Sequence, residues 1–251
     1  MLHGQHYFEC DARAAERILS IVPEIRDTAW SNRGFHQRAA AWMANRGVRQ
    51  FIDIGAGLPT VGNTHEVVRR VHPDARVIYV DNDPMVELFS EEILGEGDIG
   101  VSVMCADLCE PDSILGSGAF QSLIDPKEPT GLLMTGVMMF VADSSRPRDL
   151  VAQYIRHLVP GSYLALSHLT ADAKPPTTVE AFCSVFDDAT HHLYFRSRDE
   201  VEGFFTGLDM VPPYDGAAAE VTYTGMWGAV DVELADSEGS RWLYCGVAGI
   251  P

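Results

Sequence analysis

This sequence of 251 residues lacks several features that would point to a membrane or secreted protein. It has no run of about 18 apolar residues, and charged residues occur throughout its first 30 positions, so we expect neither a membrane span nor a signal peptide. Its five cysteines are scattered without a CxxC pair, so the sequence signals neither a disulfide framework nor a metal site. We therefore expect a cytoplasmic protein with reduced thiols.

Basic residues are also scarce. Eighteen Lys and Arg stand against 36 Asp and Glu, which gives a formal net charge of −18. Binding to a polyanion needs a basic surface that this balance does not easily supply, so nucleic acid is excluded as the expected partner. The acidic balance says nothing positive about chemistry, because a solvated acidic surface is common.

The chain does contain enough apolar residues, 46%, to fill a sizeable core. Two helical patterns come first, and short apolar runs then alternate with helical stretches, which is typical of a parallel sheet with helices on both faces. We predict an N-terminal helical extension or lid over 1–47 and one α/β domain over 48–251. The predicted strands are 49–55, 76–81, 101–107, 131–140, 162–168, 207–212 and 241–249.

Three successive predicted strands end near a carboxylate: Asp53, Asp81 and Asp107. Ligands of open parallel sheets bind outside the carboxyl ends of the strands. Gly55 and Gly57 follow the first strand and would allow main-chain N–H groups to face a bound anion. Asp81 follows at roughly the interval of 20 residues at which an acid meets ribose hydroxyls in nucleotide-binding folds. We expect Asp107 to accept from an exocyclic amine, so the set outlines an adenosine-bearing ligand.

The tail of that ligand is predicted to be something other than a phosphate. Thr60 stands where a dinucleotide motif would have its third glycine, and Asp53 would repel a pyrophosphate but tolerate a cation. These residues favour S-adenosylmethionine, which carries a sulfonium and an ammonium beside its carboxylate. Two alternatives stay open, an NAD-dependent oxidoreductase and a protein that binds S-adenosylmethionine without catalysis. A GxG pair alone is more often an ordinary tight turn.

The segments FIDIGAGLPTVGNTHEV, VIYVDNDPMV, CADL and LVPGSYLALSH resemble an actinobacterial family of S-adenosylmethionine-dependent methyltransferases. The likeness extends from DARAAERIL to FRSRDEVEGFF. It implies the Rossmann-like fold of class I methyltransferases, a mostly parallel sheet of seven strands with an antiparallel last strand.

The resemblance also implies cofactor roles for particular residues. Asp53, Gly55 and Gly57 would hold the methionine part, Asp81 the ribose with Asn82 and Asp83 beside it, and Asp107 and Leu108 the adenine. Gly136 and Val137 would line the methyl-donor face. The remaining predicted cofactor-binding residues are Ala56, Thr60, Asn63 and Ala106.

The predicted reaction is O- or N-methylation of a small molecule by in-line displacement. A hydroxyl or protonated amine acceptor would need a general base, and His168 and His65 are our candidates because each follows or ends a predicted strand near the pocket. Either histidine could instead make only local hydrogen bonds. His3, His6 and Tyr7 are candidates for a lid. The segment GVMMFVAD lacks the D/N-P-P-Y type of signature, so the substrate class stays open, as does the oligomeric state.

Overall fold

A computed structural model describes residues 9–58, 62–88, 99–186 and 192–251 of the chain. The strands within these ranges are β1 Gln50–Ile54, β2 Arg76–Asp81, β3 Val101–Cys105, β4 Thr130–Thr135, β5 Tyr163–Leu169, β6 Asp209–Met210, β7 Thr222–Tyr223 and β8 Leu243–Gly249. The helices are α1 Glu9–Ile21, α2 Ile25–Ala44, α3 Thr64–Val68, α4 84–88, α5 Pro111–Leu115, α6 Gly118–Leu123, α7 Pro147–Ile155, α8 Pro176–Ser184, α9 Arg198–Glu202 and α10 Val232–Ala235.

The strands form one sheet in the order β3-β2-β1-β4-β5-β8-β6, with β7 also paired to β8. The pairs from β3 to β5 are parallel, whereas β8 runs antiparallel to β5, β6 and β7. This confirms the predicted mostly parallel sheet with an antiparallel last strand. The described sheet has eight strands and not seven, because Thr222 and Tyr223 pair with Cys245 and Tyr244. Two residues are too few to show a periodic pattern in a sequence.

The fourth predicted strand, 131–140, is too long. β4 ends at Thr135, and Gly136 turns the chain with φ +72°, a conformation that glycine adopts readily. Met138–Phe140 then forms a 3₁₀ turn in which Met138 and Met139 are buried. A run of apolar residues indicates burial but does not by itself distinguish a strand from a short helical turn.

Alternate residues of the strands face two separate apolar layers, as the period of two requires. Ile52 and Ile54 belong to the larger layer, which includes Tyr154 of α7 and Phe204. Phe51 belongs to the other layer, which contains the buried face of α2. Each face of the sheet is therefore covered by helices.

Helix α2 is part of the sheet's own core. Its residues Phe35, Ala39 and Met43 are fully buried in the same apolar cluster as Phe51. Helix α1 contributes instead to a smaller cluster with α8 and Trp242. The division of the chain at residue 47 stays a prediction, but α2 packs directly on the sheet. Among the described residues, no helix has the length and apolar character needed to cross a membrane.

Candidate functional site

A cavity of about 360 Å³ lies at the carboxyl ends of β1, β2, β3 and β4. This is the edge of the sheet at which parallel α/β folds bind ligands. Nine of the predicted site residues line it: Gly55, Gly57, Asp81, Asn82, Ala106, Asp107, Leu108, Gly136 and Val137. Ile54, Val80, Cys109, Phe140 and Val141 also line it and were not predicted. Apolar strand ends are common in any sheet, so nothing in the sequence marks these five.

The turn after β1 depends on two glycines with positive φ, +72° at Gly55 and +63° at Gly57. A Cβ on Gly55 would lie 2.3 Å from Cγ2 of Val137, so this position also allows β1 and the post-β4 turn to approach closely. Gly55 N–H and Ala56 N–H donate to the carbonyl of Val80, at 2.8 and 3.2 Å. These two amides donate to the neighbouring strand, so the expectation that loop amides face a bound anion does not apply to them and stays a prediction for the rest of the loop.

Asp81 is held rigidly at the end of β2. Its Oδ2 accepts from Gly57 N–H at 2.8 Å, and its Oδ1 accepts from Asp83 N–H at 3.1 Å. Each carboxylate oxygen has a second lone pair, so the group can still accept hydrogen bonds from hydroxyls in the cavity that it lines. Asp83 does not line the cavity; its Oδ1 accepts from Met85 N–H at 2.9 Å and caps α4.

The wall after β3 is also anchored. Asp107 Oδ1 accepts from Cys109 N–H at 2.8 Å. The carbonyl of Leu108 accepts from the Tyr154 hydroxyl at 2.7 Å, and Tyr154 is fully buried in the core. Burial raises the pKa of Tyr154 well above its ordinary value, so this hydroxyl remains a donor. Asp107 and Leu108 are thus presented to the cavity by a loop with little freedom.

Asp53 does not line the cavity, which corrects its predicted place at the mouth of β1. It is 4% exposed and faces α2 and α3, because strand alternation puts it on the same face as Phe51. Its Oδ2 accepts from the Thr64 hydroxyl at 2.6 Å. The carboxylate is therefore a buried structural acceptor in this arrangement.

A chain of hydrogen bonds continues from Thr64 to His36 of α2. His36 Nε2 lies 2.7 Å from Thr64 Oγ1, and Nδ1 lies 2.8 Å from Thr135 Oγ1. Because the Thr64 hydroxyl donates to Asp53, Nε2–H of His36 must donate to Thr64, and neutral Nδ1 accepts from Thr135. Burial lowers the pKa of His36, with Asp53 opposing this effect and Arg33 adding to it. The chain joins β1, α3, α2 and β4.

Neither predicted general base lines the cavity. His168 is fully buried, and its Nδ1 lies 2.8 Å from the carbonyl of Leu169 while its Nε2 contacts Arg196. His65 makes two contacts with the Tyr79 hydroxyl, through its N–H at 2.9 Å and Nδ1 at 2.7 Å. The proposed base role of His168 is wrong for this arrangement, because both ring nitrogens have partners inside the protein. Sequence position placed it at a strand end but could not show which way the ring points.

Arg196 is a structural residue that the sequence did not reveal. It is 4% exposed, and its guanidinium donates to the carbonyls of Met138 and Val141 at 3.1 and 2.9 Å, and to Asp143 at 2.6 Å. It therefore fixes the segment after β4 that forms part of the cavity wall. Its only sequence signal is its place just before the Ser197 capping box.

The other predicted residues lie outside the cavity or outside the described ranges. Ala56 and Asn63 are described but do not line it; Asn63 Nδ2 donates to Glu66 at 3.2 Å, and its Oδ1 accepts from Arg33 at 3.3 Å. Thr60 and the lid candidates His3, His6 and Tyr7 lie outside the described residues. Within the described ranges, no group of three or more His, Cys, Asp or Glu could hold a metal ion.

A cavity at this edge of a mostly parallel α/β sheet is typical of proteins that bind nucleotide-type cofactors. The sequence model of the S-adenosyl methyltransferase family matches residues 1–251, and the chain belongs to this family. This membership favours a methyltransferase over the NAD-dependent alternative.

Three similar proteins agree with this membership. A candidate S-adenosyl-L-methionine-dependent methyltransferase from Mycobacterium marinum is 31% identical over 143 residues, which are 54% of this chain and 41% of that protein. The chain thus spans less than half the length of this curated relative. The solved structure of a candidate methyltransferase from Thermobifida fusca YX has a TM-score of 0.88 and 31% identity, covering 99% of this chain and 91% of that one. A DUF574 family protein from Streptomyces avermitilis has a TM-score of 0.90 and 31% identity, covering 100% and 94%.

Proposed function

We propose that this protein transfers the methyl group of S-adenosylmethionine to an oxygen or nitrogen atom of a small molecule, and that the cavity at the β1–β4 rim holds the cofactor. The observation that carries the proposal is the fixed carboxylate of Asp81, which lines the cavity beside Gly57 and Asn82. A preorganised carboxylate at the end of β2 suits two adjacent ribose hydroxyls.

The lining residues fit an adenosyl compound with a tail that is not a phosphate. Asp107 would accept from the exocyclic amine of adenine, and Ala106 and Leu108, which line the same wall, would contact its flat ring. The N–H groups of Gly55, Ala56 and Gly57 are already bonded to Val80 and Asp81, so they cannot cradle a pyrophosphate. The volume of about 360 Å³ is also in the range of small-ligand pockets.

When bound, S-adenosylmethionine supplies a methyl group on a sulfonium, which a nucleophile displaces in line. The protein's own contribution is to hold and orient. Asp81 and Asp107 would hold the adenosine end, and Gly55, Gly136 and Val137, which line the cavity, would form the wall next to the reacting end. Phe140 and Val141 extend that wall with apolar surface that excludes water.

A small-molecule acceptor is favoured over nucleic acid by charge. The formal net charge of −18 leaves little basic surface with which to neutralise phosphates. We also propose a cytoplasmic location, because the methyl donor is an intracellular metabolite. Because the histidines predicted as bases do not line the cavity, we assign no general base. An acceptor that is already deprotonated at neutral pH would not need one.

Calorimetric titration tests the cofactor site. Wild-type protein should bind S-adenosylmethionine and S-adenosylhomocysteine but not NAD. Asp81→Ala should weaken both affinities about tenfold or more, because a charge-assisted hydrogen bond contributes about 1.5 kcal/mol or more. Asp74→Ala is the matched control, since Asp74 pairs with Arg49 on the surface and is 71% exposed. An Asp81→Ala affinity within about twofold of wild type would show that Asp81 does not hold the ribose.

A further inference from the structure

Asn32 of α2 does not itself line the cavity, but it lies directly beside the wall residue Gly136. Its Oδ1 accepts from the hydroxyl of Ser167, on β5, at 2.6 Å. On its other side, Nδ2 lies so close to Gly136 that a Cβ built there would be 2.8 Å from it. Gly136 lines the cavity and accepts no side chain at φ +72° without strain. The amide nitrogen is thus adjacent to the part of the wall assigned to the reacting end of the cofactor.

The hydrogen bond to Ser167 sets the direction of the Asn32 amide. Ser167 is fully buried, and Asn32 is the partner of its hydroxyl within the described ranges. If the amide were rotated, the serine proton would lose its acceptor, which is costly in a buried site. Oδ1 therefore faces Ser167, and Nδ2 faces Gly136. No described residue accepts a hydrogen bond from Nδ2.

The carboxylate of S-adenosylmethionine needs hydrogen-bond donors other than the N–H groups of Gly55, Ala56 and Gly57. The tail has one acceptor group, a carboxylate, and one donor group, an ammonium. The N–H groups of Gly55, Ala56 and Gly57 are bonded within the protein, as described above. An N–H donor beside Gly136 can donate a hydrogen bond to the carboxylate, but it cannot bond to the ammonium, which is itself a donor.

Charged groups of both signs lie around the neighbouring turn of α2. Arg33, the next residue of α2, directs Nη2 to the carbonyl of Gly62 at 3.1 Å and to Asn63 Oδ1 at 3.3 Å. Among the described residues it makes no ion pair, and its Nε is buried without a hydrogen-bond partner. Two carboxylates lie on the same side: Glu66 accepts from Gly62 N–H at 2.8 Å and from Asn63 Nδ2 at 3.2 Å, and Asp53 Oδ2 is bonded to Thr64 in the interior.

We propose that Asn32 Nδ2 donates a hydrogen bond to the carboxylate of the bound cofactor, with Ser167 as the residue that positions the amide. The inference rests on the proposed function and deepens it. Helix α2, which the sequence assigned to an extension or lid, would then supply part of the cofactor site. Asn32 would then favour binding of ligands that carry this carboxylate over ligands that lack it.

Calorimetric titration with two ligands tests this proposal. S-adenosylmethionine and decarboxylated S-adenosylmethionine share the adenosine, the sulfonium and the ammonium, and differ in the carboxylate. Asn32→Ala should weaken binding of S-adenosylmethionine about tenfold or more and leave the decarboxylated compound within about twofold. Ser167→Ala should give a smaller loss for S-adenosylmethionine and none for the other ligand. Ser31→Ala is the matched control on the same helix, because Ser31 bonds to Thr224 at 2.9 Å.

Unchanged binding of the decarboxylated compound also shows that the variant is folded. An equal loss for both ligands would overturn the inference, because the partner of Asn32 would then not be the carboxylate. Unchanged affinity of Asn32→Ala for S-adenosylmethionine would overturn it as well, while leaving the cofactor site intact. Failure of the wild-type protein to bind either ligand would instead reject the proposed cofactor site, and this inference with it.

Discussion

Arg196 donates a hydrogen bond from Nη1 to Nε2 of His168, and both side chains are buried. Because Nε2 accepts from a cation, His168 carries its proton on Nδ1, which donates to the carbonyl of Leu169 at 2.8 Å. The same guanidinium binds the carbonyls of Met138 and Val141. His168 therefore helps to hold the post-β4 segment in place and is neutral when it does so.

The neutral state of His168 makes stability depend on pH. Burial lowers its pKa to about 4 from the ordinary 6.5, so the unfolded chain binds a proton more readily than the folded one. This contribution is complete above about pH 6.5 and is lost as pH falls toward 4, by about 1.4 kcal/mol per pH unit and roughly 3 kcal/mol in total. Urea unfolding at pH 7.5, 5.5 and 4.5 measures it.

His168→Gln is the comparison for that experiment, because Gln has an acceptor oxygen for Arg196 but does not titrate. The wild-type free energy of unfolding should fall more steeply with decreasing pH than that of the variant. Acidic residues also titrate in this range, but they do so in both proteins, so their contribution cancels in the difference between the two free energies of unfolding. If the free energy of unfolding fell equally with pH in wild type and variant, His168 would not be held neutral in the folded protein.

Gly55→Ala should damage the site more than Gly57→Ala. Both positions have positive φ, which costs a non-glycine residue about 1 to 2 kcal/mol. At Gly55 the new Cβ would also meet Val137 at 2.3 Å, whereas a Cβ at Gly57 has no atom within 4 Å. We expect Gly57→Ala to lose about 1 to 2 kcal/mol of stability, and Gly55→Ala to lose more and to weaken cofactor binding. Thermal unfolding measures the stability and calorimetric titration the cofactor affinity. Equal losses in the two variants would contradict the role given to Val137.

Thr64→Val should destabilise the protein through the buried chain between Asp53 and His36. The substitution keeps the volume but removes the hydroxyl that accepts from His36 and donates to Asp53. His36 Nε2 and Asp53 Oδ2 would lose the hydroxyl and keep only their own contact at 3.5 Å, at a cost of about 1 to 3 kcal/mol. The control is Thr206→Val, because the Thr206 hydroxyl bonds to the Gly203 carbonyl at an exposed site. Urea unfolding measures the stabilities, and equal free energies of unfolding for Thr64→Val and wild type would contradict the proposed hydrogen-bond chain.

Much of the fold could be predicted because its signals are local. The apolar run that ends at Asp81 and the Asp83 cap before Pro84 appear in the structure at the expected residues. Gly55 and Gly57 were recognisable because a sharp turn after a strand restricts residue type. β7 was missed, since its two residues pair with β8 only through the tertiary arrangement.

The candidate site was predictable only as far as strand ends could be recognised. Asp53, Asp81 and Asp107 look alike in the sequence, yet Asp53 turns into the core and the other two line the cavity. Asp53 lies one position before the last residue of β1, while Asp81 ends β2, and that offset decides which group reaches the rim. Asn32 had no signal, because a helix 100 or more residues away in sequence from Gly136 and Ser167 can be placed beside them only by packing.

The sequence by itself determined the class of fold and the edge of the sheet at which we propose the cofactor site, because strand period, turn chemistry and the spacing of acids are properties of nearby residues. The tertiary structure alone decided that His168 is an internal neutral anchor, that Asp53 is a buried acceptor, and that α2 places Asn32 next to Gly136. Those outcomes depend on which side chains meet across the core, and residues distant in sequence carry no mark of that meeting.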